Sequence, residues 1–350
     1  MKQSALWDTL PPDKIPGVFE GWKTAAEFGD PEAEFHAAQG GIAIADQTMF
    51  GRIEVTGSDR LDLLHRLSTN SLTLLAPGSN AVTVFVTDKG RVIDSVIVSV
   101  RPESLALITS PGAELFLTQW IEKYTITEDI RFRTVTDDTV MVSLIGPRIN
   151  SMFFSSHGTM PPPGNSVSIP FHGAELYAVC REDSRSRITH LIADNRHAPG
   201  LAALVGSLPG ARWIGQSAYE GFRIDREFPA KPGELSDAFT PLECGLRNAI
   251  SFTKGCYIGQ EVIARLETYG KSRRRIARIS SGVPISGTLP VPLLSGGADA
   301  GMITSRSEIP FAGRYPALAV VRNELARPGR TLDAGAIPVT VLEPATATGA

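Results

Sequence analysis

The segment Lys254-Gly255-Cys256-Tyr257-Ile258-Gly259-Gln260-Glu261 sets one cysteine between two glycines, with a lysine two residues before it. From Gly259 the pattern turns helical: Ile258, Val262, Ile263 and Leu266 share a face, and Gly270 closes the run. Such a turn delivers Cys256 to a helix N-terminus, where unpaired N–H groups favour an anion, and Lys254 adds a positive charge. Together they would draw a thiol pKa from about 8.5 towards roughly 7 or lower, giving a partly ionised thiolate at cell pH. A small buried cysteine in a tight turn is the other reading of the same residues.

A second chemical group stands in the strand Arg91–Val100. With period two, Asp94 points the same way as Val92, Val96, Val98 and Val100. A carboxylate on a buried face is costly unless it is paired, hydrogen-bonded or protonated, and desolvation lifts its pKa above about 3.9. Asp94 is therefore either a functional acid or a satisfied structural one. Arg223 and Glu243 are read as pocket residues or as members of structural ion pairs. His65 reads as structural on a solvated helix face with Arg60, Cys180 as an inert strand residue, and Cys244 as a thiol with only Arg247 nearby to favour ionisation. The strongest basic cluster is Lys271, Arg273, Arg274, Arg275 and Arg278. It suits a phosphate, a polyglutamate tail or an acidic partner, or else the polar edge of a strand.

The elements that position these groups follow from local pattern. Residues 1–40 read as a packed N-terminal arm with a helix near Pro31–Gln39. A strand at Gly51–Thr56 leads through Gly57-Ser58-Asp59, a capping sequence, into a helix ending near Leu67. Strands at Ala81–Thr87 and Arg91–Val100 flank Asp88-Lys89-Gly90, a hairpin signal. Next come a strand at Ser104–Thr109 and a helix at Pro111–Tyr124, with Pro111 in the first helical position and Leu115, Leu117, Trp120 and Ile121 facing the core. Further strands are expected at Val140–Ile145, Val167–Phe171 and Glu175–Cys180, a proline-rich loop at Ser155–Gly164, a polar stretch at Arg181–Arg187 and a short helix at Ala198–Leu208. The C-terminal stretch, with runs at Ala317–Val321 and Val339–Val341, has all-β texture, and Pro344–Ala350 reads as a frayed tail.

Composition bounds the function. A chain of 350 residues suggests two or three domains with room for a sizeable core. A net charge of −3 argues against a broad nucleic-acid face. Three scattered cysteines imply no disulfide framework, and without CxxC, HExxH or a Cys/His cluster no protein-built metal site is expected. Neither a signal peptide nor a membrane span is indicated, so a cytosolic, reducing setting is the default.

The stretch Lys254–Glu261 resembles the signature of the YgfZ group of folate-binding proteins. These are relatives of the glycine-cleavage T-protein linked to iron–sulfur cluster assembly or repair. Other stretches resemble T-protein segments: Gly51-Arg-Ile-Glu-Val-Thr-Gly-Ser-Asp-Arg-Leu61, Gly90-Arg-Val-Ile-Asp94, Tyr219-Glu-Gly-Phe-Arg-Ile224 and Thr240-Pro-Leu-Glu-Cys-Gly-Leu246. Ser95 departs from the second acidic residue frequent in that pattern, and the acid that grips the pterin has no clear counterpart, Glu182 and Asp183 lying in a charged run. The resemblance implies an α+β protein: a T-protein-like three-domain ring, with two interleaved α+β folate-binding subdomains in residues 1–270 and a C-terminal β-barrel in 271–350. It implies tetrahydrofolate or a derivative as cofactor, with Cys256 and Asp94 as the reactive groups. Arg223, Glu243, Lys254, Tyr257, Gln260 and Glu261 would join Asp94 in binding it. Implied partners are a folate small molecule and iron–sulfur proteins or their assembly machinery, with clients such as tRNA-modifying enzymes; direct nucleic-acid or membrane contact is not expected, and a monomer is. The alternative is a folate-dependent aminomethyltransferase or other one-carbon transferase, in which Asp94 handles a proton.

Overall fold

The computed structural model describes residues 1–149, 160–183, 186–270 and 272–345. Residues 155–159 of the expected proline-rich loop, the side chains of Glu182 and Asp183, Lys271 of the basic cluster and tail residues 346–350 lie outside that description. The N-terminal arm forms a small sheet from β1 (Lys2–Gln3), β2 (Ile15–Phe19) and β3 (Trp22–Glu27), in the order β1-β3-β2. Helix α1 (Pro31–Gly40) follows, with Pro31 in its first turn and Asp30 accepting from the Ala33 N–H, and leads into β4 (Ile42–Asp46).

The chain then leaves β4 to build a five-stranded sheet. Its elements are β5 (Phe50–Thr56), α2 (Arg60–Leu67), β6 (Asn80–Val86), β7 (Val92–Val100), β8 (Leu105–Pro111), α3 (Glu114–Glu122) and β9 (Arg131–Thr134), and its strand order is β6-β7-β8-β5-β9. Only afterwards do β10 (Thr139–Ile145), β11 (Ser166–Phe171), β12 (Ala174–Asp183), β13 (Ser186–Asp194), α4 (Ala198–Gly206) and β14 (Ala211–Ile214) complete a second sheet around β4, in the order β11-β12-β13-β10-β4-β14. The two α+β units are thus interleaved. Helices α5 (Gln216–Asp225) and α6 (Gln260–Thr268) precede a closed barrel of six strands. These are β15 (Arg274–Ser281), β16 (Val291–Ser295), β17 (Ala298–Arg306), β18 (Tyr315–Arg322), β19 (Thr331–Ala334) and β20 (Ile337–Val341). Among the described residues no helix is long and apolar enough to cross a membrane.

Each sheet covers one face with its own helices and turns the other inward. Leu63, Leu64 and Leu67 of α2 and Leu117, Trp120 and Ile121 of α3 pack on Ile53, Val96 and Val98 of the five-stranded sheet. On the six-stranded sheet, Leu201 and Val205 of α4 and the arm residues Leu6 and Phe28 cover Ile44, Val142 and Leu191. Burying each such side chain contributes about 1.5–3 kcal/mol, so the helices are held by their apolar faces. The inward faces meet through Ile97 and Ile108 on one side and Met141, Tyr177, Val179 and Ile192 on the other. A further cluster joins Ala43, Ala45, Ile145 and Ile188 to Phe222, Phe228 and Phe311.

Three expectations are corrected here. Pro111 closes strand β8, and α3 starts at Glu114, so the apolar stripe is rotated: Leu117, Trp120 and Ile121 are buried while Leu115 is exposed. Asp59 is the cap residue of α2 but makes no side-chain cap bond, its carboxylate accepting instead from the Asp129 N–H. Phe85 pairs with Asp94 and Val86 with Val92, so Ile93 is a bulged extra residue. The bulge sends Val92 into a different cluster from Val96, Val98 and Val100.

Candidate functional site

Cys256 is the exposed member of the three cysteines; Cys180 and Cys244 are buried. It sits before the helix rather than at its mouth, because α6 begins at Gln260 behind the cap residue Gly259. The Lys254 ammonium is turned away to the end of α2, where it donates to the carbonyls of His65, Ser68 (2.8 Å) and Asn70 (2.8 Å). All three of its donors are used, so Lys254 is a clamp on the turn. Burial lowers its pKa to about 8, against carbonyl oxygens that favour the ammonium. The Tyr257 ring lies 5.1 Å from that ammonium, and the buried phenol is pushed up to about 12. The Tyr257 carbonyl accepts from the Gln260 N–H, closing the turn at 3.2 Å. Glu261 lines a shallow surface cleft with Val262, Arg265 and Leu266.

The turn rests directly on the β6–β7 hairpin. Gly259 has φ +77°, and a Cβ there would lie 2.5 Å from the Thr87 carbonyl oxygen and 3.1 Å from the Gly90 Cα. Gly90, with φ +66°, would in turn place a Cβ 3.2 Å from Val262. Glycine is required at both positions by conformation and by contact. Cys256 and Asp94 are therefore carried by two segments in backbone contact, although they stand far apart in sequence.

Asp94 itself is fully buried. Its carboxylate accepts from the Ser110 N–H (3.0 Å), the Ser110 hydroxyl (2.6 Å) and the Ser95 N–H (3.0 Å). Burial raises its pKa, while the Ser110 bonds and the Lys231 ammonium pull it back. The expected departure, Ser95, thus supplies a backbone donor to the acid.

Arg223 and Glu243 each tie elements together. Arg223 donates to both oxygens of Glu220, to the Phe228 carbonyl (3.2 Å) and to Glu234 (3.3 Å). Glu234, fully buried, also accepts from the Ala230 N–H and from the barrel hydroxyls of Thr304 and Ser305. Glu243 accepts from the Thr240 N–H and from Arg274 of the barrel, both at 2.9 Å, and faces Arg91 of the hairpin at 3.8 Å. The cation near Cys244 is Arg274, not Arg247; burial and the two glutamates nonetheless push that thiol well up. His65 Nδ1 accepts from the Leu72 N–H, a structural role as expected. The basic strand is likewise committed: Arg278 pairs with Asp225, and Arg275 donates to the Ala326 carbonyl.

The inward face of the six-stranded sheet carries polar groups of another kind. Register aligns three rows across it: Met141–Ile192–Tyr177, then Ala45–Ser143–His190–Val179, then Ala43–Ile145–Ile188–Arg181. Gln47, whose N–H donates to the Met141 carbonyl at 2.9 Å, continues the first row past the end of β4. The first row packs on the five-stranded sheet, and the third on α5 and its following loop. His190 thus faces the junction between those bodies. Its Nδ1 meets the Ser143 hydroxyl at 2.8 Å, while its Nε2 has no hydrogen-bond partner among the described residues. Burial, helped by the Arg181 charge, pushes this imidazole down to about 3, so it is neutral at cell pH. Both side-chain polar atoms of Gln47 are also buried without a partner among the described residues.

This architecture has a counterpart among solved structures. The glycine cleavage system aminomethyltransferase T of Bartonella henselae superposes with a TM-score of 0.84 over 98% of this chain and 97% of its own, at 15% identity. The fold is that of aminomethyltransferase T. Residues 15–157 match the GCVT N-terminal domain family. A chloroplastic protein of Arabidopsis thaliana, provisionally named a transferase, is 29% identical over 88% of this chain and 72% of its own. Aminomethyltransferases of Bacillus licheniformis and Bacillus subtilis are 24% and 23% identical over 87% and 90% of the chain, and 86% and 89% of theirs. The chain is thus similar to these proteins in sequence and shares the aminomethyltransferase T fold.

Gln47 and His190 are not among the residues singled out from the sequence. His190 lies in β13, whose run of buried residues from Ile188 to Ala193 was not assigned to a strand. A histidine between Thr189 and Leu191 is the signal that was available; its orphaned Nε2 is visible only once Ser143 is in register with it.

Proposed function

We propose that this chain is a tetrahydrofolate-binding protein of YgfZ type that supports iron–sulfur cluster assembly or repair, and through it enzymes such as the tRNA-modifying ones. The observation that carries the reading is the exposed Cys256, held on a turn pinned by three bonds from Lys254 and seated on the hairpin that bears Asp94. A structural cysteine would be covered, as Cys180 and Cys244 are. One thiolate supplies one ligand to an iron–sulfur cluster, so a partner protein or a small thiol brings the others.

A pterin is flat, with an apolar body and polar edges, and suits a site of few well-aimed polar groups. The buried, unpartnered polar atoms on the inward face fit such a ligand. Asp94, its pKa raised by burial, can hold a proton. Arg223, Glu243, Lys254 and Tyr257 serve this reading as the frame that keeps hairpin, turn and barrel together, and Gln260 and Glu261 as the first turn of α6.

Titration with tetrahydrofolate, followed by tryptophan fluorescence, is expected to saturate below millimolar concentration. Cys256→Ala is expected to keep that affinity and the Tm, yet to lose all rescue of an iron–sulfur enzyme in cells lacking the protein. Full rescue by Cys256→Ala rejects the cysteine role.

The second reading, one-carbon transfer to tetrahydrofolate, is favoured by relatives named aminomethyltransferases that match along most of their length. Asp94 would then handle the proton on the acceptor nitrogen or the leaving amine. Turnover of an aminomethyl donor with purified protein, lost in Asp94→Asn and kept in Cys256→Ala, would select it.

A further inference from the structure

The N-terminal arm meets the two sheets around a cavity of about 270 Å³. Its walls come from separate stretches of the chain: Lys2 and Gln3 of β1, Trp22 of β3, Thr48 after β4, Asp137 between β9 and β10, and Asn195 after β13. None of these has a part in the folate or cysteine readings above. The Lys2 ammonium donates to both Asp137 oxygens, at 2.6 and 2.9 Å, and lies 5.3 Å from the Trp22 ring. An exposed ion pair of this kind adds little to stability, so it does not by itself account for the groups gathered beside it. The Gln3 carboxamide is exposed. The Asn195 amide donates to the Asp137 carbonyl at 2.7 Å, which fixes that side chain, while its Oδ1 is buried with no partner among the described residues. A buried acceptor left unpaired is costly, and a ligand N–H would relieve it.

We infer that this cavity is a binding site for a small zwitterion, an α-amino acid. The ligand carboxylate takes the Lys2 ammonium and the Gln3 amide, and the ligand ammonium takes the Asp137 carboxylate and the Asn195 Oδ1. Its side chain lies against Trp22. Lys2 and Asp137 each exchange one opposite charge for another, so neither is left unpaired. An anion alone would strand Asp137, and a cation alone would strand Lys2. The pair therefore selects a molecule that carries both charges. Once bound, the amino acid ties the arm to the turn before β10 and the turn after β13.

Isothermal titration of the full chain compares L-alanine with propionate and ethylammonium, each of which keeps one of its two charges. L-Alanine is expected to bind with a Kd of about 1 mM and to raise the Tm, and the two half-ligands to bind at least about tenfold more weakly. Lys2→Met and Asp137→Asn are each expected to weaken L-alanine about tenfold while keeping the Tm of the ligand-free protein, because the pair is exposed. Wild type that takes up no L-alanine at roughly ten times that concentration overturns the inference. So does equal binding of all three probes, or L-alanine affinity unchanged in both variants, either of which marks adventitious binding only. The probe comparison needs no variant, so it decides even where a substitution loosens the arm. Tetrahydrofolate affinity is expected to be the same in wild type and both variants; its loss in them would overturn a separate site. The titration with L-alanine stands whether or not the folate reading holds.

Discussion

The cysteine turn and the inward row of the six-stranded sheet are built by opposite means. In the turn the Lys254 ammonium spends its three donors on carbonyls, and the Tyr257 carbonyl takes the Gln260 N–H. The Cys256 that this turn carries is exposed. In the row the reverse holds: a carboxamide and an imidazole nitrogen find no hydrogen-bond partner among the described residues. The turn leaves a sulfur exposed at the surface; the row keeps unpartnered polar atoms inside at a cost in stability.

The contrast breaks first if the turn is not rigid. Gly259→Ala adds a Cβ at 2.5 Å from the Thr87 carbonyl oxygen in a left-handed conformation, and should lose about 3 kcal/mol in urea unfolding. A loss under ~0.5 kcal/mol would mean that the turn and hairpin are not held together. Next in size, Lys254→Met strands three carbonyls at the end of α2 and should lose about 2 kcal/mol, the half-exposed site moderating the charge-assisted bonds. An unaffected stability would show that water replaces the ammonium freely and that the clamp has no mechanical role.

How much of this was legible follows the same divide. The Cys256 turn is a contiguous octapeptide, so its residues and its helix could be read directly, but the direction of the Lys254 side chain could not. Nothing local says that its partners are carbonyls near position 68. Asp94 was legible as a buried acid because strand alternation is a period-two rule, yet the bulge at Ile93 moved Val92 to another cluster. The interleaving of the two sheets, with β4 paired to β10 across an inserted sheet, is a long-range fact without a local signal. Gln47 and His190 were illegible for the same reason, since an orphaned atom is defined by what lies opposite it.

The smallest expected effect sharpens the row rather than the turn. The His190 imidazole is held at about 3 in the folded chain, against an ordinary value of 6.5. Between those values the unfolded chain binds the extra proton. The contribution of neutral His190 is therefore complete above pH 6.5 and is lost as pH falls towards 3. Between pH 6 and pH 5 the wild type should lose about 1 kcal/mol of stability through this group alone. His190→Leu should remove that slope, so the difference between variant and wild type in urea unfolding grows by this amount over the interval. If the two curves stay parallel, His190 is protonated inside the fold or reached by water, and the inward row is not the dry interior that sets it apart from the turn.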